Sequence, residues 1–235
     1  MQARTVQSAP PGKDRDSAMA VPSVLAFAHR IVREALRPGE IAVDATMGNG
    51  HDTLFLAQLV GAGGRVYAFD VQEAALAAAR KRLEAAGVPA ATAAELAEAE
   101  PAATEPAAVR VILYLRDHAE LAEALPPSAA GRVGAVMFNL GYLPGSDHKI
   151  VTQPETTVRA LSSAARLLRP GGVISVVVYP GHAGGAEEGE AVGAWAAALP
   201  IEAWQAAEYR FLNPKNPAPY VVAVHKRQNS SGERI

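Results

Sequence analysis

The chain reads as an α/β protein, a doubly wound and mostly parallel seven-stranded sheet with an antiparallel pair at one edge. Three observations point there. Short apolar runs alternate with segments of helical period, Gly48 and Gly50 stand where the first run turns into a helix, and the last two extended runs have no helix between them. Strands that alternate with helices need crossovers, which lay them parallel and cover both sheet faces. Strands joined directly pair antiparallel.

Residues 1–20 mix Pro, Gly, Ser and charges of both signs without periodicity, the pattern of a flexible leader. From Val21 to Leu36, residues such as Val24, Ala28, Ile31, Val32 and Ala35 recur at steps of three and four, one apolar helical face ended by Pro38-Gly39. Strands are predicted at Ile41–Ala45, Arg65–Phe69, Val109–Leu115, Val133–Phe138 and Gly172–Tyr179. Helices are predicted between them at Asp52–Val60, Gln72–Ala86, Ala119–Leu125 and Glu155–Leu168. A last helix, Glu187–Leu199, precedes the extended runs Glu202–Phe211 and Tyr220–His225, which the proline-rich segment 212–219 connects into an edge pair. Residues 88–108 are of low complexity and contain four glutamates within Val88–Pro106 but no base there, so they read as a solvated acidic loop insertion. The expected organisation is one domain over 21–226 carrying that insertion, with a flexible tail at 227–235.

Composition narrows the function. With 22 Lys and Arg against 24 Asp and Glu, and a formal charge of −2, the chain does not hold nucleic acid by bulk positive charge. Outside the acidic insertion it is mildly basic. No cysteine is present, which excludes disulfides, thiolate metal sites and a Cys nucleophile and agrees with a reducing cytosol. No apolar run reaches a membrane span's length, so a cytoplasmic protein without a membrane partner is expected. The six histidines show no H-x-x-x-H spacing, and no metal is expected.

Asp44-Ala45-Thr46-Met47-Gly48-Asn49-Gly50-His51-Asp52-Thr53 places its glycines at the strand-to-helix turn, where the backbone must turn tightly and approach a ligand. Asp70 closes the second strand 20 residues after Gly50, where a carboxylate can grip both ribose hydroxyls. A dinucleotide fingerprint would want Gly or Ala where Thr53 stands, and Asp44 is awkward beside a pyrophosphate. That carboxylate suits the cationic amine of S-adenosylmethionine instead, directly or through water. His51 and Asp52 read first as a helix start, Asp52 complementing the positive helix terminus. No G-x-x-x-x-G-K-[ST] string occurs.

Asp44–Gly50, DATMGNG, resembles motif I of class I S-adenosylmethionine-dependent methyltransferases, D/E-x-G-x-G-x-G, with Thr46 where the first glycine usually stands. Together with GNGHDTLFLA, FNLGYLPGSDHKI, YPGH and FLNPKNPAP it resembles a small bacterial family labelled "putative rRNA methylase" over roughly residues 21–226, the insertion excluded. Members of that family are associated with methylating the aminomethyl group of 5-aminomethyl-2-thiouridine at the tRNA wobble position. The resemblance implies a Rossmann-like methyltransferase sheet, S-adenosylmethionine as cofactor and tRNA as partner. The expected cofactor residues are Asp44, Thr46, Gly48, Asn49, Gly50, Asp52, Asp70, Gln72, Asp117, His118 and Asn139.

Ligands of an open parallel sheet lie beyond the strands' carboxyl ends. There Asp117 or His118 is expected at the adenine edge and Val71 against its face. Asn139-Leu140-Gly141-Tyr142 stands where many amino-methyltransferases carry (N/D)-P-P-(Y/F), keeping Asn and Tyr but not the prolines. Asn139 and Tyr142 are accordingly the expected catalytic residues, aligning the nitrogen and packing on the substrate. Each also has an ordinary reading, Asn139 as a loop cap and Tyr142 as a packing aromatic. Tyr142, His148, His182 and Asn213 are the expected substrate contacts, with Lys149, Arg159, Arg210, Lys215 and Lys226 as candidate phosphate contacts. His29 and His225 have no motif around them. One small domain offers little area for tRNA, which leaves room for a homodimer. Two other readings keep the pocket: a small-molecule methyltransferase, and a cofactor-binding protein without activity.

Overall fold

The computed structural model describes residues 21–98, 109–141 and 151–228. Helix α1 (Val24–Ala35) leads into β1 (Ile41–Asp44), α2 (His51–Val60), β2 (Arg65–Asp70) and α3 (Glu73–Ala85). After β3 (Ala90–Thr92) and α4 (Ala93–Glu98) come β4 (Val111–Leu115), a 3-10 turn at His118–Glu120, and the short α5 (Leu121–Ala124). The chain continues through β5 (Val133–Asn139), α6 (Pro154–Leu167), β6 (Leu168–Val178), α7 (Gly185–Ala197), β7 (Trp204–Tyr209) and β8 (Tyr220–Lys226).

The sheet has eight strands in the order β3-β4-β2-β1-β5-β6-β8-β7. The first six strands in that order run parallel, and β8 is antiparallel to both β6 and β7. The edge pair is thus where the missing helix placed it, but the count is eight rather than seven. The extra strand comes from the segment read as a solvated insertion. Ala90–Thr92 pairs in parallel with Val111–Leu113, and α4 is anchored by Arg80, whose Nη2 lies 2.7 Å from Glu95 Oε2. Composition misled here because alanine and glutamate tracts suit a loop and a short helix alike, and a three-residue strand has too few positions to show a period. Residues 99–108, like the leader, lie outside the described residues. Arg227, assigned to the tail, donates its backbone N–H to Ala203 O at 2.8 Å, and residues 229–235 lie outside the described residues.

Both sheet faces are buried, and side chains alternate between them. Val43, Phe69, Val136 and Phe138 join the core under α6 and α7, while Ala42, Ala68, Ala135 and Met137 join the core under α1, α2 and α3. From β1 the chain moves outward through β2 to β3 at the edge, places β4 between them, and then crosses to put β5 on the other side of β1. The carboxyl ends of β1 and β5 therefore flank the topological switch point, where an open α/β sheet leaves a crevice.

Candidate cofactor and substrate cavity

A cavity of about 870 Å³ opens at this switch point. Its walls come from the loops that follow β1, β2, β4, β5 and β6, from α1, and from the β7–β8 connection through Pro217 and Pro219. Thr46, Gly48, Asn49, Asp52, Asp70, Gln72, Asp117, His118, Asn139 and His182 all line it. The ten side chains or backbones meet there because parallel strands carry their carboxyl ends to one edge.

The glycine loop is held from several sides. Gly48 N donates to Asp70 Oδ2 at 2.9 Å, and Gln72 N donates to Asp70 Oδ1 at 3.0 Å, so one carboxylate ties the loop after β1 to the loop after β2. Burial raises the Asp70 pKa against the opposing pull of the Gly48, Gln72 and Val71 amides. Asn49 O accepts from Arg82 Nε at 2.7 Å. Thr46, the departure from the glycine motif, accepts a hydrogen bond at Oγ1 from Asn139 N at 2.7 Å. A glycine could not make that tie between the ends of β1 and β5.

Two expected cofactor contacts have other roles. Gly50 caps α2 with φ +74°, and an added Cβ would lie 2.7 Å from Ala79 Cα, so the glycine is required by the packing of α2 on α3. Asp44 is 1% exposed and lies outside the cavity lining, with Oδ1 accepting from Thr46 N at 3.2 Å and Oδ2 from Thr53 Oγ1 at 2.6 Å. It braces the loop from beneath. Burial, reinforced by the nearby Asp52 charge, pushes its pKa up to about 7. The folded state thus binds this proton more tightly than the unfolded state does. Stability from this group is complete below the ordinary 3.8 and is lost as pH rises through about 7. Asp44→Asn is expected to melt about 5 °C above the parent protein at pH 8, the two curves converging below pH 4. Equal melting temperatures across that range would remove the proton from Asp44.

On the adenine side, Asp117 accepts from Ala119 N at Oδ1 (2.7 Å) and caps the 3-10 turn. His118 is 8% exposed, and burial lowers its pKa, which keeps the imidazole neutral. Its Nε2 is buried without a hydrogen-bond partner among the described residues, and so is Asn139 Oδ1. Val71, expected on the adenine face, lines the cavity and is 49% exposed.

At the end of β5, Asn139 Nδ2 donates to Asp52 Oδ2, and Asp52 Oδ1 lies 2.6 Å from His29 Nε2. No sequence motif surrounds His29. The available signal was its place four residues after Leu25 on α1, since both residues face the cavity. Tyr179, an aromatic that the sequence offers as a stacking surface for a base, lines the cavity, and so do Thr152 and Thr156, which the sequence does not single out. Gly141 N donates to Thr152 Oγ1 at 2.9 Å, and Thr152 Oγ1 donates to the buried Glu188 Oε2 at 2.6 Å, which anchors the frame of the β5–α6 connection. Tyr142, His148 and Lys149 lie in that connection, outside the described residues.

Asn213 is exposed and is not among the lining residues. Lys226 sits at the opposite sheet edge, donating to Leu168 O at 2.7 Å, because β8 runs antiparallel and carries its end away from the cavity. Arg210 is paired with Glu208 Oε1 at 2.6 Å and lies over the Tyr220 ring. Among the described residues, Arg116 is the one arginine or lysine that lines the cavity. Among the described residues no group of three or more His, Asp or Glu side chains is placed to hold a metal, and no helix is long and apolar enough to cross a membrane.

This donor set fits S-adenosylmethionine. Asp70 presents a carboxylate suited to a ribose diol at the end of β2, the Gly48 turn has no side chain to obstruct the approach, and His118 Nε2, one of the buried polar atoms without a hydrogen-bond partner among the described residues, needs a ligand N–H or O–H group to offset its burial.

Comparison with known proteins agrees with that chemistry. Residues 66–225 match a family described as "Putative rRNA methylase". A protein of Arabidopsis thaliana named tRNA (mnm(5)s(2)U34)-methyltransferase, chloroplastic, is 38% identical over 207 residues, 86% of this chain and 69% of its own length. The crystal structure of a "putative rRNA-methylase" from Clostridium thermocellum superposes with a TM-score of 0.75 at 36% identity, covering 88% of this chain and 100% of the other. A "putative methyltransferase" from Streptococcus mutans, solved in complex with SAH, gives 0.71 at 31% identity over 88% and 99% of the two chains.

Proposed function

The chain belongs to the rRNA methylase family, and we propose that it transfers a methyl group to the aminomethyl nitrogen of 5-aminomethyl-2-thiouridine at the wobble position of tRNA. It is an S-adenosylmethionine-dependent methyltransferase, the activity its relatives share. The family label speaks of rRNA, while the relative named by its substrate acts on tRNA and is similar over 86% of this chain. The reading favours the latter, with one catalytic domain over 21–226, a cytoplasmic site of action and a homodimer sharing the RNA surface.

The observation that carries the proposal is the environment of Asn139. S-adenosylmethionine, when bound, supplies an electrophilic sulfonium methyl. Asn139 Oδ1, buried and unpartnered, accepts an N–H of the incoming amine and turns its lone pair toward the methyl group. Asp70 and the Gly48 turn hold the ribose, and His118 meets the adenine edge. Phe69, Leu140 and Tyr179 give the cavity apolar wall surface. Attack by the neutral amine would form the N–C bond as the S–C electron pair passes to sulfur, and the secondary ammonium so formed would then lose one proton to solvent. The ammonium form has no lone pair, so the rate rises with pH until the bound amine is neutral.

The test uses two matched tRNAs, one carrying the aminomethyl group on the wobble uridine and one lacking it. Methylation of the first alone is expected, with nucleoside mass analysis placing the new methyl on the exocyclic nitrogen. Equal methylation of both, or of neither despite cofactor binding, would move the substrate to a small amine.

A further inference from the structure

The proposed role of Asn139 leaves a problem that the cofactor motifs do not solve. A primary amide can sit in two orientations related by a half-turn that exchanges oxygen and nitrogen within nearly the same volume. Only one of them suits the reaction. An amide oxygen accepts the amine's N–H and leaves its lone pair available. An amide nitrogen would donate into that lone pair and withdraw it from attack.

The structure contains a device that selects between them. Asp52 is 8% exposed and lies at the start of α2, where its carboxylate can only accept. Its Oδ2 takes the bond from Asn139 Nδ2, which turns Asn139 Oδ1 to the unpartnered side. A carboxylate held by one bond could still rotate. His29 Nε2, reaching in from α1 at 2.6 Å, occupies Asp52 Oδ1 and removes that freedom. The histidine is itself fixed by stacking on Phe55, with ring centroids 4.1 Å apart and planes 12° from parallel, while Arg33 covers Phe55 at 5.3 Å from its centroid. Three elements distant in sequence, α1, α2 and the end of β5, thus meet in one hydrogen-bonded chain at the cavity wall.

We propose that His29 is a positioning residue for methyl transfer: through Asp52 it holds the Asn139 amide with its oxygen presented to the nucleophilic nitrogen. This rests on Asn139 as the group that aligns the amine. It adds a residue from the first helix to a site otherwise composed of strand-end loops. Asp52 and His29 sit one and two hydrogen bonds behind Asn139 in that chain, so the effect of His29 belongs in turnover and not in cofactor affinity.

Two substitutions separate hydrogen bonding from packing. His29→Phe keeps the ring stacked on Phe55 but has no N–H for Asp52, whereas His29→Gln loses the ring and keeps a donor. With full-length protein and the modified tRNA, His29→Phe is expected to lower kcat about tenfold with the Kd for S-adenosylmethionine within about twofold of the parent value. His29→Gln should recover kcat to within about threefold. A second readout needs no RNA substrate: the side-chain amide resonances of Asn139 in protein saturated with S-adenosylhomocysteine, assigned by their loss in Asn139→Ala. Slow hydrogen exchange of that amide in the parent and in His29→Gln, and at least about tenfold faster exchange in His29→Phe, supports the proposal. Retention of kcat and slow exchange in His29→Phe, or impairment of His29→Gln to the same extent as His29→Phe, overturns it. If the parent protein leaves the modified tRNA unmethylated, the substrate assignment fails by itself, and the amide exchange still decides whether His29 orients Asn139.

Discussion

Replacing Asn139 with alanine is expected to reduce the methyl-transfer rate about 100-fold while changing the Kd for S-adenosylmethionine by less than about threefold. The asymmetry follows from the position of the side chain. Its nitrogen is committed to Asp52 and its oxygen is the buried, unpartnered acceptor, so truncation removes alignment of the amine more than grip on the cofactor. The backbone of Asn139 would remain in place, because its N–H is held by Thr46 Oγ1 and not by its own side chain. Single-turnover rates with saturating cofactor, beside calorimetric titration, measure the two effects separately. A parallel loss of rate and affinity would make Asn139 a cofactor ligand, and an unchanged rate would leave it a loop cap.

Asp70→Ala is expected to do the reverse, weakening cofactor binding by ten- to a hundredfold, about 1.5 to 3 kcal/mol for one charge-assisted contact. The lower end assumes that only the ribose contact is lost. The geometry argues for the upper end, because the same carboxylate holds the amides of Gly48 and Gln72 and its removal frees both loops. Asp70 lies at the end of β2 and outside the two main cores, so a cooperative melting transition should survive the substitution. Calorimetry with S-adenosylhomocysteine decides it; affinity within twofold of the parent would take Asp70 out of the binding site.

The fold was legible because its signals are local and repeated. Alternating strand and helix runs dictate a parallel, doubly covered sheet, and the missing helix before Tyr220 dictates an antiparallel edge. The eighth strand was not legible, since Ala90–Thr92 gains its conformation from its partner Val111–Leu113 and not from its own three side chains. Within the site, Gly48, Asp70 and Asn139 could be placed from the ends of their strands. Asp44 could be placed but not assigned: whether a carboxylate faces a ligand or braces a loop depends on burial, which a single residue's neighbours in sequence do not reveal.

His29 marks the same boundary from the other side. Its 23-residue separation from Asp52 carries no spacing signal, and Asp52 is a further 87 residues from Asn139. The order of elements, the glycine turn and the carboxylate closing β2 follow from short-range chemistry along the chain. Which nitrogen of which histidine meets that carboxylate network is settled by how α1 packs beside the ends of β1 and β5. Such contacts are long-range: they exist only once the sheet has brought its carboxyl ends to one edge, and no local preference encodes them.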